Sequence, residues 1–428
     1  MQYKITAPSQ LRYTVQLPAS KSISNRALMI YALRGGTMQA REAKGPQLPE
    51  NLSDCDDTEV IVSNLRENPY EIDIKAAGTS MRFMTAMLSN REGEEHILTG
   101  TERMKQRPIG VLVEALRRLG ADITYIGKEG YPPLLVKGKS LEGGMLEVSG
   151  NISSQYISAL LLIGPALKRG LTLKLTGEII SRPYIDLTLW VMREYGADAD
   201  WSDFETITVN PTPYQDRPYL IENDWSAASY WYEMLALSGN EDDEIRLEGL
   251  MDGSKQGDSS VRYIFSLLGI RTTFDNSAKG QPGTVTLRHS GRCVPRLEYD
   301  FNNAPDVAQT FVVCCALKGV PFHFRGLSTL RIKETDRIEA LKREMRKLGY
   351  VIHDANNSEL IWNGERCIPS PDTAIDTYDD HRMALAFAPA ALHTKGLCIN
   401  NPQVVTKSYP HFWEDLRQCG FRIEELSV

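Results

Sequence analysis

One pattern of apolar and polar residues recurs along the chain, and each copy ends in a glycine. Successive glycines are almost evenly spaced, at intervals of about 75 positions. Apolar residues stand four and eight positions before each glycine, with Thr188 as the one polar exception. This spacing predicts an amphipathic helix that stops at the glycine, and a weaker copy covers residues 57–68. The glycines are Gly120, Gly196, Gly269, Gly349 and Gly420.

A second series of segments alternates with the first, and its members are apolar on almost every side. After a shorter first interval, their starts follow the same period as the glycines. We therefore predict an α/β fold of six repeats, in two lobes of three. Each repeat contains strands, one buried apolar helix and one amphipathic outer helix. The apolar segments begin at Ser22, Thr79, Ser154, Ser226, Asp306 and His381.

Composition and charge narrow the classes of function. Hydrophobic residues make up 42% of the chain and the net charge is −7, which argues against general nucleic-acid binding. The most apolar stretch, Ala159 to Leu167, is too short to span a membrane, and no signal peptide is evident. No CxxC motif or closely spaced histidine pair indicates a metal site. We expect a cytoplasmic protein that binds neither membrane nor metal.

Positive side chains accompany the starts of these helices. The N-terminus of a helix has free backbone N–H groups and a positive dipole end, so it favours anions. Any one of these cations could be an ordinary solvated helix-end charge, but the whole set in an acidic protein predicts small anionic substrates. The set comprises Lys21, Arg26, Arg82, Arg107, Lys333, Arg337, His381, Arg382 and Lys407.

Two acids lie among these bases. Asp306 follows a proline in NNAPD, and Glu334 lies between Lys333 and Arg337. Carboxylates in such surroundings are suited to proton transfer. The alternatives are that Asp306 caps a helix and that Glu334 forms a structural salt bridge, and the residues alone leave both open.

Nine sequence blocks resemble the signatures of the EPSP synthase family, the 3-phosphoshikimate 1-carboxyvinyltransferases. They run in order from Lys21 to Phe412: PASKSISNRAL, AAGTSMRF, RPIGVLVEALRRLGA, SSQYISAL, SRPYIDLTL, NNAPDVAQT, RIKETDRI, YDDHRMALAF and TKSYPHFW. The resemblance implies the enolpyruvyl transferase fold, a two-lobed inside-out α/β barrel of six βαβαββ repeats. It places residues 19–223 in an N-terminal lobe, residues 1–18 and 224–428 in a C-terminal lobe, and the active site in the cleft between them.

The resemblance also implies a reaction of the shikimate pathway that leads to aromatic amino acids. Phosphoenolpyruvate (PEP) transfers its enolpyruvyl group to the 5-hydroxyl of shikimate 3-phosphate, and phosphate is released. Asp306 would be the base and Glu334 the proton donor, with Lys21 as a third catalytic residue. The resemblance further implies a monomer that needs neither metal nor organic cofactor.

The implied contacts fall into three groups. Shikimate 3-phosphate would contact Lys21, Ser22, Arg26, Ser153, Ser154, Gln155, Ser181, Tyr184, Asp306 and Lys333. PEP would contact Lys21, Gly78, Arg107, Gln155, Arg337, Arg382 and Lys407. A second tier of supporting residues comprises Arg82, His381 and Thr329.

Two other functions stay open, and two residues differ from the usual family pattern. The related UDP-N-acetylglucosamine enolpyruvyl transferases carry a catalytic cysteine where this chain has Glu102, and the other alternative is an inactive paralogue that binds without turnover. Ala76 and Thr329 replace asparagines that are usual in the family, which puts substrate affinity in question. Residues 41–51 are longer and more polar than usual, and we expect a surface loop there.

Overall fold

The computed structural model describes residues 1–34, 48–275, 280–371 and 374–426. The chain forms two compact units, one made of Met1–Ala19 with Glu222–Val428 and the other of Ser20–Ile221. We call them the discontinuous unit and the continuous unit. The lobe boundaries inferred from the family stay a prediction, and the expected loop at 41–51 lies outside the described residues up to position 47.

Twenty β-strands occur in the described residues. Their bounds are β1 Gln2–Thr6, β2 Arg12–Gln16, β3 Glu71–Asp73, β4 Glu95–Thr99, β5 Asp122–Tyr125, β6 Leu134–Lys137, β7 Gly144–Ser149, β8 Leu171–Thr176, β9 Ala199–Trp201, β10 Thr206–Val209, β11 Glu244–Leu250, β12 Ile270–Phe274, β13 Gly283–His289, β14 Leu297–Asp300, β15 Phe322–Arg325, β16 His353–Ala355, β17 Glu359–Trp362, β18 Ala374–Ile375, β19 Leu397–Asn400 and β20 Arg422–Leu426.

Thirteen α-helices accompany these strands in the same part of the chain. Their bounds are α1 Lys21–Leu33, α2 Asp56–Glu67, α3 Gly78–Ser89, α4 Glu102–Lys105, α5 Gly110–Arg118, α6 Ser154–Ile163, α7 Arg182–Glu194, α8 Trp225–Leu237, α9 Val261–Leu267, α10 Ala308–Lys318, α11 Arg337–Lys347, α12 His381–Phe387 and α13 Phe412–Gln418.

The continuous unit places three nearly apolar helices at its centre. Every residue from Ile23 to Ala32 of α1 and from Tyr156 to Ile163 of α6 is buried, as is all of α3 except Thr79. Two four-stranded sheets, in the orders β3-β4-β6-β5 and β7-β8-β10-β9, lie in this unit. The amphipathic helices α2, α5 and α7 bury one face each, as their sequence pattern predicts.

The discontinuous unit follows the same plan with α8, α10 and α12 at its centre. All of α12, and α10 except Lys318, are buried. Three four-stranded sheets occur among its described residues, in the orders β18-β19-β1-β20, β12-β13-β11-β2 and β14-β15-β17-β16. The alternation of buried apolar and outer amphipathic helices confirms the predicted assignment of the two series. No helix in the described residues is both long and apolar enough to cross a membrane.

The glycines that end the outer helices all take the left-handed backbone conformation. Their φ angles lie between 81° and 103°, a region that a side chain disfavours. At Gly120, for example, Ala121 N donates to Leu116 O, and Gly120 N donates to Arg117 O. This Schellman arrangement recurs at Gly196, Gly349 and Gly420. The apolar residue four positions before the glycine thus supplies both a core side chain and the carbonyl that ends the helix.

Candidate active site

A single buried arginine organises the charged cluster of the discontinuous unit. The guanidinium of Arg337, at the start of α11, donates to Asp380 at 2.7 and 3.2 Å. It also donates to Asp306 at 3.1 Å and to Glu334 at 2.9 Å. The residue is 1% exposed, and its acidic neighbours raise its pKa further, against the effect of burial. Arg337 therefore fixes the two predicted proton-transfer acids to the same guanidinium.

Asp306 lies in the short 3₁₀ turn Pro305–Val307 that leads into α10. Besides Arg337, its carboxylate faces Lys333 Nζ at 3.2 Å and Arg382 Nη2 at 3.5 Å. Burial acts to raise its pKa, but the three cations prevail and hold that pKa well below its usual range. The N-cap residue of this turn is Ala304 and that of α10 is Val307, so Asp306 occupies neither capping position. The first alternative, a plain N-cap, is therefore wrong, and Asp306 is an ionised acid in a cationic pocket.

Glu334 lies just before α11 and is held between two cations. Oε2 accepts from Arg337 Nη2, and Oε1 accepts from Lys407 Nζ at 2.6 Å. Its side chain is 15% exposed and that of Lys407 is 10% exposed. The salt bridges of the second alternative are present, and they place Glu334 one guanidinium away from Asp306.

The start of α12 completes this cluster. Asp380 caps the helix by accepting from Arg382 N at 3.0 Å, and His381 Nδ1 lies 3.7 Å from the same carboxylate. Arg382 also donates through Nη1 to Tyr230 OH at 3.4 Å. Thr329 Oγ1 is buried without a hydrogen-bond partner in the described ranges. The structure thus brings together all the predicted site residues of this unit except Thr329, for which it shows no polar contact.

Lys21 is the first residue of α1 in the continuous unit. Its ammonium lies 3.0 Å from Asp57 Oδ2, at the start of α2. The side chains are 15% and 7% exposed. Because Ser80 Oγ of α3 donates to the carbonyl of Asp57 at 2.9 Å, this ion pair is tied to the start of a third helix.

Arg26, one turn further along α1, is 4% exposed. It donates to Thr188 Oγ1 at 2.7 Å, to the carbonyls of Ser22 and Tyr184 at 2.8 and 3.2 Å, and to Ser158 Oγ at 3.3 Å. Burial lowers its pKa to about 10, which leaves it charged at neutral pH. Arg26 therefore links the starts of α1 and α7 through groups at Ser22 and Tyr184, two further predicted site residues.

Gly78 and Arg107 form a close pair at the start of α3. A Cβ at position 78 would lie 2.6 Å from Arg107 Nη1, so any side chain there would displace this guanidinium. Arg82 donates to the carbonyls of Gly78 and Pro108 at 3.0 Å each and is 4% exposed. Arg82 thus links the two segments that carry Gly78 and Arg107, and its supporting role toward a substrate stays a prediction.

The start of α6 presents three consecutive predicted site residues. Ser153 caps the helix by accepting from Gln155 N at 3.3 Å, and Ser154 is the first helical residue. Gln155 Nε2 donates to Thr79 Oγ1 of α3 at 3.1 Å. Ser181 precedes α7 with a φ of 54°, a strained value for serine. The predicted residues of this unit therefore lie at the starts of α1, α3, α6 and α7, with Arg107 beside α3.

Several residues of these clusters escaped the sequence analysis. Asp57 pairs with Lys21, Asp380 with Arg337, and Thr188 with Arg26. Thr188 did leave a signal, because it is the one polar entry in an otherwise apolar helix face. Asp258 is 4% exposed and accepts from Ser226 Oγ, and burial raises its pKa to about 6. The local sequence, QGD, did not indicate that this acid would be buried.

The position that would carry a cysteine in the UDP-N-acetylglucosamine enzymes is on the surface of the continuous unit. The side chain of Glu102 is 85% exposed and pairs with Lys105 at 2.7 Å. No group of three or more His, Cys, Asp or Glu side chains placed to hold a metal occurs in residues 1–34, 48–275, 280–371 and 374–426.

Comparison with solved structures shows the fold. An EPSP synthase from Acinetobacter baumannii superposes with a TM-score of 0.75 at 19% identity, over 99% of this chain and 100% of that one. The enolpyruvyl transferase NikO from Streptomyces tendae gives 0.72 at 16% identity, over 100% of this chain and 99% of that one. These likenesses confirm the predicted enolpyruvyl transferase fold.

Comparison of sequences shows the family. A 3-phosphoshikimate 1-carboxyvinyltransferase of Bacteroides fragilis is 55% identical over 424 residues, 99% of each chain. One from Aliivibrio fischeri is 33% identical over 96% of this chain and 98% of its own length. The family model described as EPSP synthase (3-phosphoshikimate 1-carboxyvinyltransferase) matches residues 47–416. The chain therefore belongs to the EPSP synthase family.

Proposed function

We propose that this protein is a transferase that moves the enolpyruvyl group of PEP to the 5-hydroxyl of shikimate 3-phosphate. The product is 5-enolpyruvylshikimate 3-phosphate, an intermediate on the way to chorismate and the aromatic amino acids. Family membership, with 55% identity to a full-length relative of that name, supports the reaction. The observation that carries the assignment of roles is the bridge from Asp306 through Arg337 to Glu334.

The proposed chemistry has an addition half and an elimination half. In the addition, the 5-oxygen of shikimate 3-phosphate bonds to C2 of PEP as Asp306 takes the hydroxyl proton. The C2–C3 double bond takes up a proton at C3, for which Glu334 is the donor. In the elimination, C3 returns a proton to Glu334, the bond from C2 to the phosphate oxygen breaks as that oxygen takes the proton held by Asp306, and the double bond re-forms. Phosphate leaves, so every atom of both substrates is accounted for.

The electrostatics explain why Asp306 would act as a base only with substrates bound. Three cations hold the pKa of its carboxyl well below the usual range, where a carboxylate is a weak base. The substrates bring phosphates and a carboxylate, and these anions compete for the same cations. Their negative charge raises the proton affinity of Asp306 where the hydroxyl must be deprotonated.

The cations have a second role, which is to neutralise the substrates. Arginine forks suit carboxylates and phosphates, and lysine supplies a compact charge. We assign Lys21, Gly78, Arg107, Gln155, Arg337, Arg382 and Lys407 to PEP. We assign Lys21, Ser22, Arg26, Ser153, Ser154, Gln155, Ser181, Tyr184, Asp306 and Lys333 to shikimate 3-phosphate. Preorganised positive groups of this kind stabilise charge that develops during a reaction.

The proposal extends to the setting of the enzyme. We propose a monomer in the cytoplasm that binds these two small molecules and needs neither nucleic acid nor membrane. Gel filtration with light scattering would test the monomer, for which the calculated mass is 48.0 kDa.

A phosphate-release assay tests the reaction itself. The protein is incubated with PEP and shikimate 3-phosphate together, with each alone, and with PEP and UDP-N-acetylglucosamine. We expect phosphate only from the first mixture, together with a product whose mass equals both substrates minus phosphoric acid. Release with UDP-N-acetylglucosamine would favour the related enzyme, and no release in any mixture would favour an inactive paralogue.

A further inference from the structure

Two neighbouring strands of the discontinuous unit lead directly into two parts of the candidate site. Strands β18 and β19 pair in parallel. The chain after β18 enters α12, whose second residue is Arg382. The chain after β19 enters the 3₁₀ turn Pro402–Lys407, which ends at Lys407. Since the carboxyl ends of parallel strands lie at the same edge of a sheet, the two segments that carry these assigned PEP ligands leave the sheet together.

Side-chain hydrogen bonds continue the pairing of these segments where the backbone ladder of β18 and β19 ends. Asn400 Nδ2 donates to Asp376 Oδ1 at 2.7 Å, and Thr377 Oγ1 donates to the carbonyl of Asn401 at 3.5 Å. Farther along, Asn401 Nδ2 donates to Asp379 Oδ1 at 2.7 Å. This last bond joins the residue just before the N-cap of α12 to the residue just before the 3₁₀ turn.

The backbone passes through the left-handed region in both segments. The φ angle is 53° at Tyr378, 55° at Asp379 and 51° at Asn401. Asn and Asp adopt such values more readily than other residues with a side chain, whereas they are unusual for tyrosine. The hydroxyl of Tyr378 donates to Glu344 Oε1 of α11 at 2.6 Å, which anchors this strained turn on the helix that begins with Arg337. Strain of this kind persists only where the surrounding structure fixes it, and it is frequent at functional sites.

Both segments end in the charged cluster. Asp380, directly after the left-handed pair, accepts from the Arg337 guanidinium at 2.7 and 3.2 Å and from Arg382 N at 3.0 Å. Lys407, at the end of the other segment, lies 2.6 Å from Glu334 Oε1. A change in the direction of either turn would therefore move a cation of the cluster.

We propose that Asp379 and Asn401 are positioning residues, whose shared hydrogen bond fixes two assigned PEP ligands relative to each other. The ligands are Arg382 and Lys407. The inference rests on the proposed function, because it takes both cations to bind PEP. The competing explanation is that Asp379 is exposed, so that water replaces the bond without any effect on PEP.

A double-mutant cycle tests the bond. Asp379→Gly and Asn401→Gly each remove one partner, and glycine suits the left-handed backbone, so neither change adds strain. A hydrogen bond to a charged group, weakened here by water, supports an expected rise of about 3- to 10-fold in KM for PEP in each variant. The double variant should be no worse than either single variant, since the bond is lost only once. KM for shikimate 3-phosphate should stay within about twofold throughout, because the assigned ligands of that substrate lie on other segments.

A reciprocal exchange tests the same bond without glycine. Asn401→Asp sets two carboxylates against each other and should raise KM for PEP by at least as much as Asn401→Gly. Addition of Asp379→Asn restores a donor and an acceptor of the same shape, with their places exchanged. KM for PEP in this pair should return to within about twofold of the unmodified protein. Both residue types tolerate the left-handed conformation, so the exchange serves also if a glycine variant fails to fold.

The matched control for the glycine variants is Asn68→Gly. Asn68 is the left-handed C-cap of α2, with a φ of 47°, so the control makes the same exchange in the same backbone conformation. Both KM values should be unchanged in this variant. A rise in KM for PEP equal to that of Asn401→Gly would attribute the effect to the flexibility of glycine and overturn the inference.

Other outcomes would also overturn it. They are an unchanged KM for PEP in the variants of Asp379 and Asn401, equal rises in both KM values, additive effects in the double variant, or no recovery in the reciprocal pair. The unmodified protein is assayed in parallel. Its failure to turn over the two substrates would refute the proposed function, and this inference with it. Normal turnover beside kinetically silent variants would refute this inference alone.

Discussion

Two acids of the discontinuous unit have pKa values that are shifted in opposite directions. Asp306 lies at the start of α10 among three cations, and its pKa is well below the usual range. Glu233 lies within α8, is 0% exposed, and neither carboxylate oxygen has a hydrogen-bond partner among the described residues. Burial raises the pKa of Glu233 well above its usual value. The comparison teaches that burial raises the pKa of an acid unless neighbouring cations outweigh it.

The surroundings of Glu233 explain its state. Its electrostatic neighbours include the buried thiols of Cys314 and Cys315 on α10. An ionised carboxylate without a partner is very costly in such a place, so the group keeps its proton. The surroundings of Asp306, at the start of α10, are different. Side chains from α11, α12 and the preceding turns supply positive charge there. Glu233, which is 0% exposed, therefore differs in chemistry from Asp306, whose side chain is 22% exposed and faces three cations.

The largest expected effect separates the two acids by activity. Asp306→Asn should lower kcat by about 10²- to 10⁴-fold, because it removes the proposed base while keeping the shape of the side chain. Glu233→Gln, the matched change at the other acid, should leave kcat within about threefold. Phosphate release at saturating PEP and shikimate 3-phosphate measures both. Equal kcat values for the two variants would show that Asp306 matters no more for catalysis than Glu233 does.

Glu334→Gln tests whether the second acid of the cluster resembles Asp306. We expect kcat to fall by about 10²- to 10⁴-fold, since an amide cannot deliver a proton to C3 of PEP. Exchange of solvent deuterium into the methylene group of PEP, followed by mass spectrometry, should slow in parallel. Normal turnover in this variant would show that Glu334 forms salt bridges but does not donate the proton.

Removal of the Arg337 guanidinium should lower the free energy of unfolding, because the acids around it lose their shared partner. Arg337→Met leaves Asp380, Asp306 and Glu334 without their shared partner, and Asp380 is 0% exposed. Loss of one partner from a buried ion pair costs about 3–5 kcal/mol, which urea unfolding would measure. The double variant Arg337→Met with Asp380→Asn should recover part of this loss. A cost below about 1 kcal/mol would mean that water replaces the guanidinium.

The smallest effect concerns the pH dependence of stability at Glu233. In the unfolded chain a glutamate has a pKa of about 4.3, whereas the folded value is well above that. Between the two values the native state holds one more proton, so the free energy of unfolding falls by about 1.4 kcal/mol per pH unit as pH rises. The Glu233→Gln variant lacks the titrating carboxyl and therefore lacks this pH dependence. Its stability relative to the unmodified protein should therefore increase with pH above about 4.3, and urea unfolding at pH 5.5, 6.5 and 7.5 gives the slope. Parallel profiles would show that Glu233 is ionised in the folded protein.

The sequence predicted well those features that repeat or that use local rules. The glycine stops, the buried helices and the cations at helix starts all follow from spacing and from capping chemistry along a short stretch of chain. Asp258 and Asp57 could not be found in this way, because their partners, Ser226 and Lys21, lie more than a helix away in the sequence. Glu233 was hidden for another reason: a single acid in an apolar helix resembles a surface position until the helix is seen to be buried on all sides.

The sheet that contains the first strand of the chain has a consequence for biosynthesis. Strand β1 lies between β19 and β20, and its residues Gln2 to Ile5 pair with both. Strand β2 pairs in parallel with β11, which begins only at Glu244. On the ribosome, the continuous unit has all its residues once synthesis passes Ile221, and domains generally fold as they emerge. The discontinuous unit has to wait for the last strand. Strand β1 therefore stays without its neighbours β19 and β20 through much of translation, whereas β2 can pair as soon as β11 has been made.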